Sequence, residues 1–195
     1  MPPRLPRASP LLHLRPTIPA PTPTTTRTFI PLPSQQQQFT ATRTLLYPPR
    51  KLYTLISDID SYHKFLPYCL DSRVITPQTA TTPSLADLRV GFGSYDETFR
   101  SEVTCDEREM TVVADGAKGG GGLFEVLVAR WKVVDAKRRA EETERSEVTL
   151  RIDYRFANPL YGALSSAVIP KVAEVLVEAF ERRAEEVLGK GRVGV

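Results

Sequence analysis

Soft metal ligands and imidazoles are scarce in this chain: two histidines and two cysteines in 195 residues. They are His13, His63, Cys69 and Cys105, and His13 falls in a proline-rich leading stretch. A structural zinc site needs four converging ligands, which the body lacks, and a catalytic one needs three and a water, which would take every His and Cys of the body at no recognisable ligand spacing. No metal and no catalytic cofactor is expected. Acid–base chemistry meets the same shortage, because His63 is the single imidazole of the body and falls on a short segment ended by Pro67. A surface role is its plain reading, and no catalytic residue is expected. The stretch DGAKGGGG over 115–122 invites a phosphate cradle. No Gly-Lys-Ser/Thr follows it, and a strand rather than a helix comes next, so a hairpin loop is expected instead. What remains is apolar chemistry with a few polar handles. Trp131 is large and has one N–H to place. Glu97 is a carboxylate on an otherwise apolar strand face, where it either bonds an arginine or faces a cavity.

Those residues depend on the elements that carry them. The longest periodic stretch is the last, NPLYGALSSAVIPKVAEVLVEAFERRAEEVLG over 158–189. Leu164, Val168, Val172, Val175, Leu176, Ala179, Phe180 and Val187 recur at three- and four-residue steps, the stripe of an amphipathic helix. Gly189 stands where a helix C-cap belongs. Pro170 has no N–H to donate and crowds the carbonyl four residues back. It predicts a short lead-in helix, a break near Ile169, and a main helix over 171–188. Upstream, a threonine-rich strand over 39–46 ends at Pro48-Pro49, and two short helices over 50–57 and 61–66 follow. Leu70, Val74 and Thr76 mark a weak strand. Period-two faces come next: Ala86, Leu88, Val90, Phe92; then Tyr95, Glu97, Phe99, Ser101, Val103, Cys105; then Met110, Val112, Ala114. Residues 123–134 are nearly continuous apolar, as in a strand covered on both sides. Val148, Leu150, Ile152, Tyr154 and Phe156 alternate with polar neighbours in the last strand.

Charge is uneven. The chain has 26 Lys and Arg against 23 Asp and Glu, but residues 1–44 hold five arginines, no acid and ten of the seventeen prolines. The remainder therefore carries 21 basic against 23 acidic residues. Such a body lacks the basic face that phosphate backbones require, so nucleic acid is not an expected partner. The acid-free, Arg- and Ser/Thr-rich leader has the composition of an organelle transit peptide, the alternative being a merely disordered tail. The expected organisation is a targeting or disordered segment over 1–40, one domain over 41–189 and a short disordered tail over 190–195. No run of about 18 apolar residues exists to span a membrane.

Successive strands joined by short loops build an antiparallel meander, and a twisted meander curls. Only the terminal helix can fill its concave side. The expected fold is α+β, a helix-grip architecture with a curved antiparallel sheet wrapped around a long C-terminal helix. Such a grip tends to leave a tunnel between sheet and helix. Leu88, Val90, Phe99, Val103, Leu150, Ile152 and Tyr154 from the strands, with Val172 and Leu176 from the helix, are candidates to line it, plain core packing being the alternative for each. Trp131 and Glu97 join them.

Several stretches resemble one family. Phe65-Leu66-Pro67-Tyr68-Cys69, Ser72-Arg73-Val74, Val90-Gly91-Phe92 followed by Glu97-Thr98-Phe99, Leu123-Phe124 with Trp131, Asn158-Pro159-Leu160-Tyr161 and Ala179-Phe180-Glu181-Arg182-Arg183-Ala184 occur in the order found in coenzyme Q-binding START-like proteins. The resemblance implies a mitochondrial lipid-binding protein, not an enzyme. It would hold ubiquinone or a late polyprenyl-quinone precursor and deliver it to respiratory or biosynthetic complexes at the matrix face of the inner membrane. It adds Leu66 and Tyr68 to the ligand-binding candidates. The relatives on this fold keep two alternatives open, a polyketide cyclase-like enzyme and a ribosome-interacting module. A last expectation concerns the membrane: Leu160, Tyr161, Val168 and Ile169, apolar and ahead of Pro170, are candidates for bilayer contact.

Overall fold

Seven strands form one antiparallel sheet, and three helical segments cover one side of it. The computed structural model describes residues 36–92, 95–116, 124–136 and 144–190, and of 92, 95 and 159–170 the backbone only. The arginine-rich leader up to 35, the glycine stretch over 117–122, the charged loop over 137–143 and the tail from 191 lie outside the described residues. Contacts divide the chain into Met1–Pro31 and Leu32–Val195, and every described strand and helix belongs to the second unit.

The order is β1 (Gln37–Leu45), α1 (Pro49–Ser57), a 3-10 helix (Ile59–Lys64), β2 (Cys69–Thr76), β3 (Ser84–Phe92), β4 (Tyr95–Asp106), β5 (Thr111–Asp115), β6 (Phe124–Asp135), β7 (Ser146–Phe156) and α2 (Pro159–Leu188). Across the sheet the strands run β1-β7-β6-β5-β4-β3-β2, so β2 to β7 are a meander and the first strand returns to pair with the last. This is the helix-grip fold: α2 packs on β1 and β7, while α1 packs on β5 and β6. Pro49 opens α1, where its missing N–H costs no helical bond, and α1 sinks Leu52, Tyr53 and Ile56 into the core. The 3-10 helix is tied to edge strand β2. Asp60 Oδ1 accepts the N–H of Val74 at 2.7 Å, and buried Ser72 Oγ accepts the N–H of His63 at 2.9 Å. At the far end of the grip, Tyr47 donates its hydroxyl to the carbonyl of Gly189 at 2.8 Å, and Ser146 donates to Tyr47 O at 2.6 Å. Gly189 has φ +78°, the left-handed value that ends a helix and that other residues adopt at a cost.

The opposite face of the sheet is laced with ion pairs. Arg100 bonds Asp87 and Arg89 bonds Asp96, in each case through two guanidinium nitrogens, and Arg130 and Arg151 converge on Asp153. The guanidinium of Arg100 holds the Asp87 carboxyl below the usual range, and Arg89 does the same to Asp96. These arginines are half exposed, so such pairs shape the solvated face more than they stabilise it.

Four sequence expectations need correction. The break at Pro170 does not divide the last helix, which runs as one element from Pro159 to Leu188. A proline removes one backbone bond, and the turns on either side keep theirs. On α2 the deeply buried residues are Ala173, Val177, Ala179, Phe180 and Ala184, whereas Val187 is 54% exposed. Small alanines let the helix approach the sheet closely, which a stripe of bulky residues would prevent. Leu70 points outward, because the ladder slips between Cys69 and Asp71 and reverses the side of the residue between them. It lies over Gly91, where a Cβ would come within 2.5 Å of its Cδ1. Nor is β6 covered on both faces, since Glu125, Arg130 and Val134 are exposed.

Candidate ligand-binding site

Strand alternation turns one set of side chains from each strand toward α2. The register brings Val103, Ala114, Ala129 and Ile152 into one row across β4 to β7, and Val112, Trp131 and Leu150 into the next. Three of the inward positions, Ala86, Ala114 and Ala129, carry almost no side chain, and Ser101 is also small. Large residues around small ones leave a void, here a cavity of about 260 Å³ between sheet and helix. From above, Val172, Leu176 and Phe180 of α2 close it; Ile59, Tyr62 and the turn from Leu66 to Cys69 close one flank.

Burial grades along this space. Trp131, Leu150, Val112, Ile59 and Phe180 are buried, Leu88, Val90, Ile152, Val172 and Leu176 are half-buried, and Tyr68 is 42% exposed. The buried end is aromatic. Phe180 sits at ring-centroid distances of 4.7 Å from Trp131, 5.3 Å from Tyr62 and 5.0 Å from Phe65, each close to edge-on. Such contacts are worth about 0.5–1.5 kcal/mol each beyond their buried area. Behind that wall, Phe65 faces a separate surface crevice and carries the Arg183 guanidinium over its ring at 5.6 Å. The open end is the rim at Tyr68, whose φ of +65° is strained for a residue other than glycine.

No Asp, Glu, His, Lys or Arg is among the described residues lining the cavity. Tyr62 donates its hydroxyl to the carbonyl of Ile56, and burial, with the nearby Cys105 and Asp58, pushes its phenol above its ordinary value. Cys69 Sγ meets the carbonyl of Asp71 at 3.4 Å, and burial likewise raises its thiol, which therefore stays protonated at neutral pH. Proton transfer is poorly served by such a lining; holding an apolar molecule is what it suits. His63, Ser72 and Asp60 do lie together, with His63 Nδ1 3.1 Å from Ser72 Oγ. They do not make a nucleophilic triad. The Asp60 carboxylate is spent on the backbone N–H of Val74, Ser72 is 4% exposed, and none of the three borders the cavity.

Of the residues proposed from sequence, Leu66, Tyr68, Leu88, Val90, Val103, Trp131, Leu150, Ile152, Val172 and Leu176 border the cavity. Glu97, Phe99 and Tyr154 do not. They share the concave face but lie farther along it, where Phe99, Phe124, Phe156 and Tyr154 form a chain of ring contacts between 4.6 and 6.0 Å. Tyr154 also donates its hydroxyl to Gln37 at 2.7 Å, and Glu97 stands opposite Val90 in the ladder. The side chains of Leu160, Tyr161, Val168 and Ile169 lie outside the described residues. Sequence reasoning missed Ala86, Ser101, Ala114, Ala129 and Phe180, all on the right parity or stripe, and the irregular segment holding Ile59 and Tyr62. Among the described residues there is no cluster of metal-ligating side chains, and no helix is long and apolar enough to cross a membrane.

Residues 45–181 match the family model described as polyketide cyclase / dehydrase and lipid transport. The mitochondrial coenzyme Q-binding protein coq10 of Schizosaccharomyces pombe is 36% identical over 149 residues, 75% of this chain and 86% of that protein. The ribosome association toxin RatA of Escherichia coli is 26% identical over 150 residues, covering 77% of this chain and 88% of the toxin. Among solved structures, the Zhui aromatase/cyclase of a Streptomyces species superposes with a TM-score of 0.67 at 14% identity, over 83% of this chain and all of that one. That last likeness is one of fold.

Proposed function

The chain belongs to the polyketide cyclase/dehydrase and lipid transport family, and on that premise we propose that it binds ubiquinone or a late polyprenyl-quinone precursor and carries it for respiration or quinone synthesis. The observation that carries this reading is the cavity: apolar on nearly every side, without a charged side chain among its described lining, and backed by aromatic rings. Each ligand CH₂ buried there is worth about 0.8 kcal/mol, so a prenyl chain is held without any catalytic group. A cyclase would need an acid or base facing substrate; the described lining carries no Asp, Glu, His, Lys or Arg, which supports the carrier reading over the cyclase one. The relatives that bind coenzyme Q are named mitochondrial, which with the acid-free leader supports import through residues 1–40 and residence at the matrix face of the inner membrane.

Protein purified from mitochondrial membranes of its own source, extracted with organic solvent and analysed by mass spectrometry, should release a polyprenyl quinone in near-stoichiometric amount. Recovery of the protein from another compartment would sink the localisation; recovery without quinone would sink the ligand.

Membrane contact is proposed for Leu160, Tyr161, Val168 and Ile169 in the first half of α2, an apolar group ahead of the stripe that packs on the sheet. Val168→Asp with Ile169→Asp should lower liposome binding and quinone transfer about ten-fold or more, because apolar residues at a bilayer carry most of the binding energy. The thermal midpoint should move little. A large loss of stability would show instead that the pair is core.

A further inference from the structure

We propose that the quinone enters head first, its ring lying against Trp131 at the buried end of the cavity and its prenyl tail leaving past Tyr68. This orientation rests on the quinone-carrier reading and adds to it a donor that recognises the head. Most polar side chains around the cavity are already committed: Tyr62 donates to Ile56, and Cys69 to Asp71. The indole N–H of Trp131 and the hydroxyl of Ser101 border the cavity, and neither is committed to a hydrogen bond among the described residues.

The two donors stand on different strands. Trp131 pairs with Val112 across β5 and β6, while Ser101 follows the Glu102–Asp115 pair and so stands level with Gly116. Four residues along β5 at about 3.4 Å each, and two strand spacings of about 4.8 Å, put their backbones about 17 Å apart. A ring stacked on the Trp131 indole therefore lies in a different part of the cavity from one seated beside Ser101. The choice falls to the walls. Phe180 stands against Trp131 and Tyr62 against Phe180, flat rings suited to a flat, electron-poor quinone, and Trp131 and Phe180 are buried. A cavity of about 260 Å³ lies just below the range of about 300–1,000 Å³ usual for a ligand swallowed whole, so a long prenyl chain must protrude. Tyr68 is the one exposed residue of the described lining, and a tail leaving there sends the head to the other end.

Trp131 is the single tryptophan of the chain, so its emission reports on that end alone. An excited indole loses its emission by electron transfer to a quinone in contact with it, and a saturated or prenyl hydrocarbon has no such effect. The full protein is titrated with ubiquinone bearing two isoprene units, and separately with a prenyl hydrocarbon of that tail length, occupancy being read by equilibrium dialysis. Quenching that saturates with quinone occupancy, and none with the hydrocarbon, is the expected result. Trp131→Phe keeps an aromatic wall and deletes the donor, leaving a ring oxygen buried without a partner; quinone affinity should fall about five-fold or more relative to the hydrocarbon. Full occupancy with undiminished emission would overturn the orientation, and so would a larger loss in Ser101→Ala than in Trp131→Phe. Failure of dialysis to retain any quinone would overturn the carrier reading together with it.

Discussion

Phe180→Ala is expected to cost about 3–5 kcal/mol of folding stability, the usual range for a buried phenylalanine cut to alanine. Phe180 is 6% exposed and is the ring on which three others converge: Trp131 from the sheet, Tyr62 from the 3-10 helix and Phe65 from the turn after it. No other described residue of α2 ties those three elements to the helix by ring contacts. Removing the ring leaves each neighbour with an unpartnered edge, and the structure cannot collapse into the gap without moving α2 away from the alanines that seat it. The loss is read by urea unfolding with the slope compared to wild type. A cost below about 1 kcal/mol would mean that the wall relaxes freely and is no fixed end to the cavity.

The same substitution removes a partition between two spaces. Phe180 and Tyr62 face the cavity, Phe65 and Arg183 face the crevice behind, and the aromatic contacts among them are the boundary. A variant that still folds would join the two, and tail and head would no longer have distinct ends to occupy. Quinone release should then quicken, whatever the equilibrium affinity.

Parity is the legible part. Alternation along β3, β4 and β7 is enough to say that Leu88, Val90, Val103, Leu150 and Ile152 point to the helix side, and the structure puts them on the cavity. Distance along a strand is not encoded by alternation, and that is why Phe99 and Tyr154, on the same face, belong to the aromatic chain beyond it. Leu70 escapes the pattern because a ladder slip leaves no mark in a hydrophobic alternation. Most important, a void is made by residues that are not there: Ala86, Ala114 and Ala129 carry a weak apolar signal that is easily passed over, though their lack of bulk creates the site. On α2 the converse holds. Ala173, Ala179 and Ala184 are about 1% exposed, small because the sheet comes close and not because space was kept.

Two alanines of opposite kind therefore respond differently to the same added ring. Ala114 and Ala129 are partners across β5 and β6, and both side chains look into the cavity. Ala114→Phe places a ring in empty space, so its strain should stay within the lower part of the roughly 1–3 kcal/mol seen for overpacked cores. The ring would stand in the path between Trp131 and the rim, and quinone co-purifying with the protein should fall about ten-fold or more as the buried tail and head contacts are lost. Ala184→Phe adds the same ring where no void exists; it should damage stability severely, with ligand lost only through unfolding. Circular dichroism melts and quinone assays on both variants tell them apart. If Ala114→Phe folds and keeps its full quinone load, the ligand does not occupy this cavity. If both variants lose stability alike, the space beside Ala114 closes in solution, and the alanines of the sheet are ordinary core.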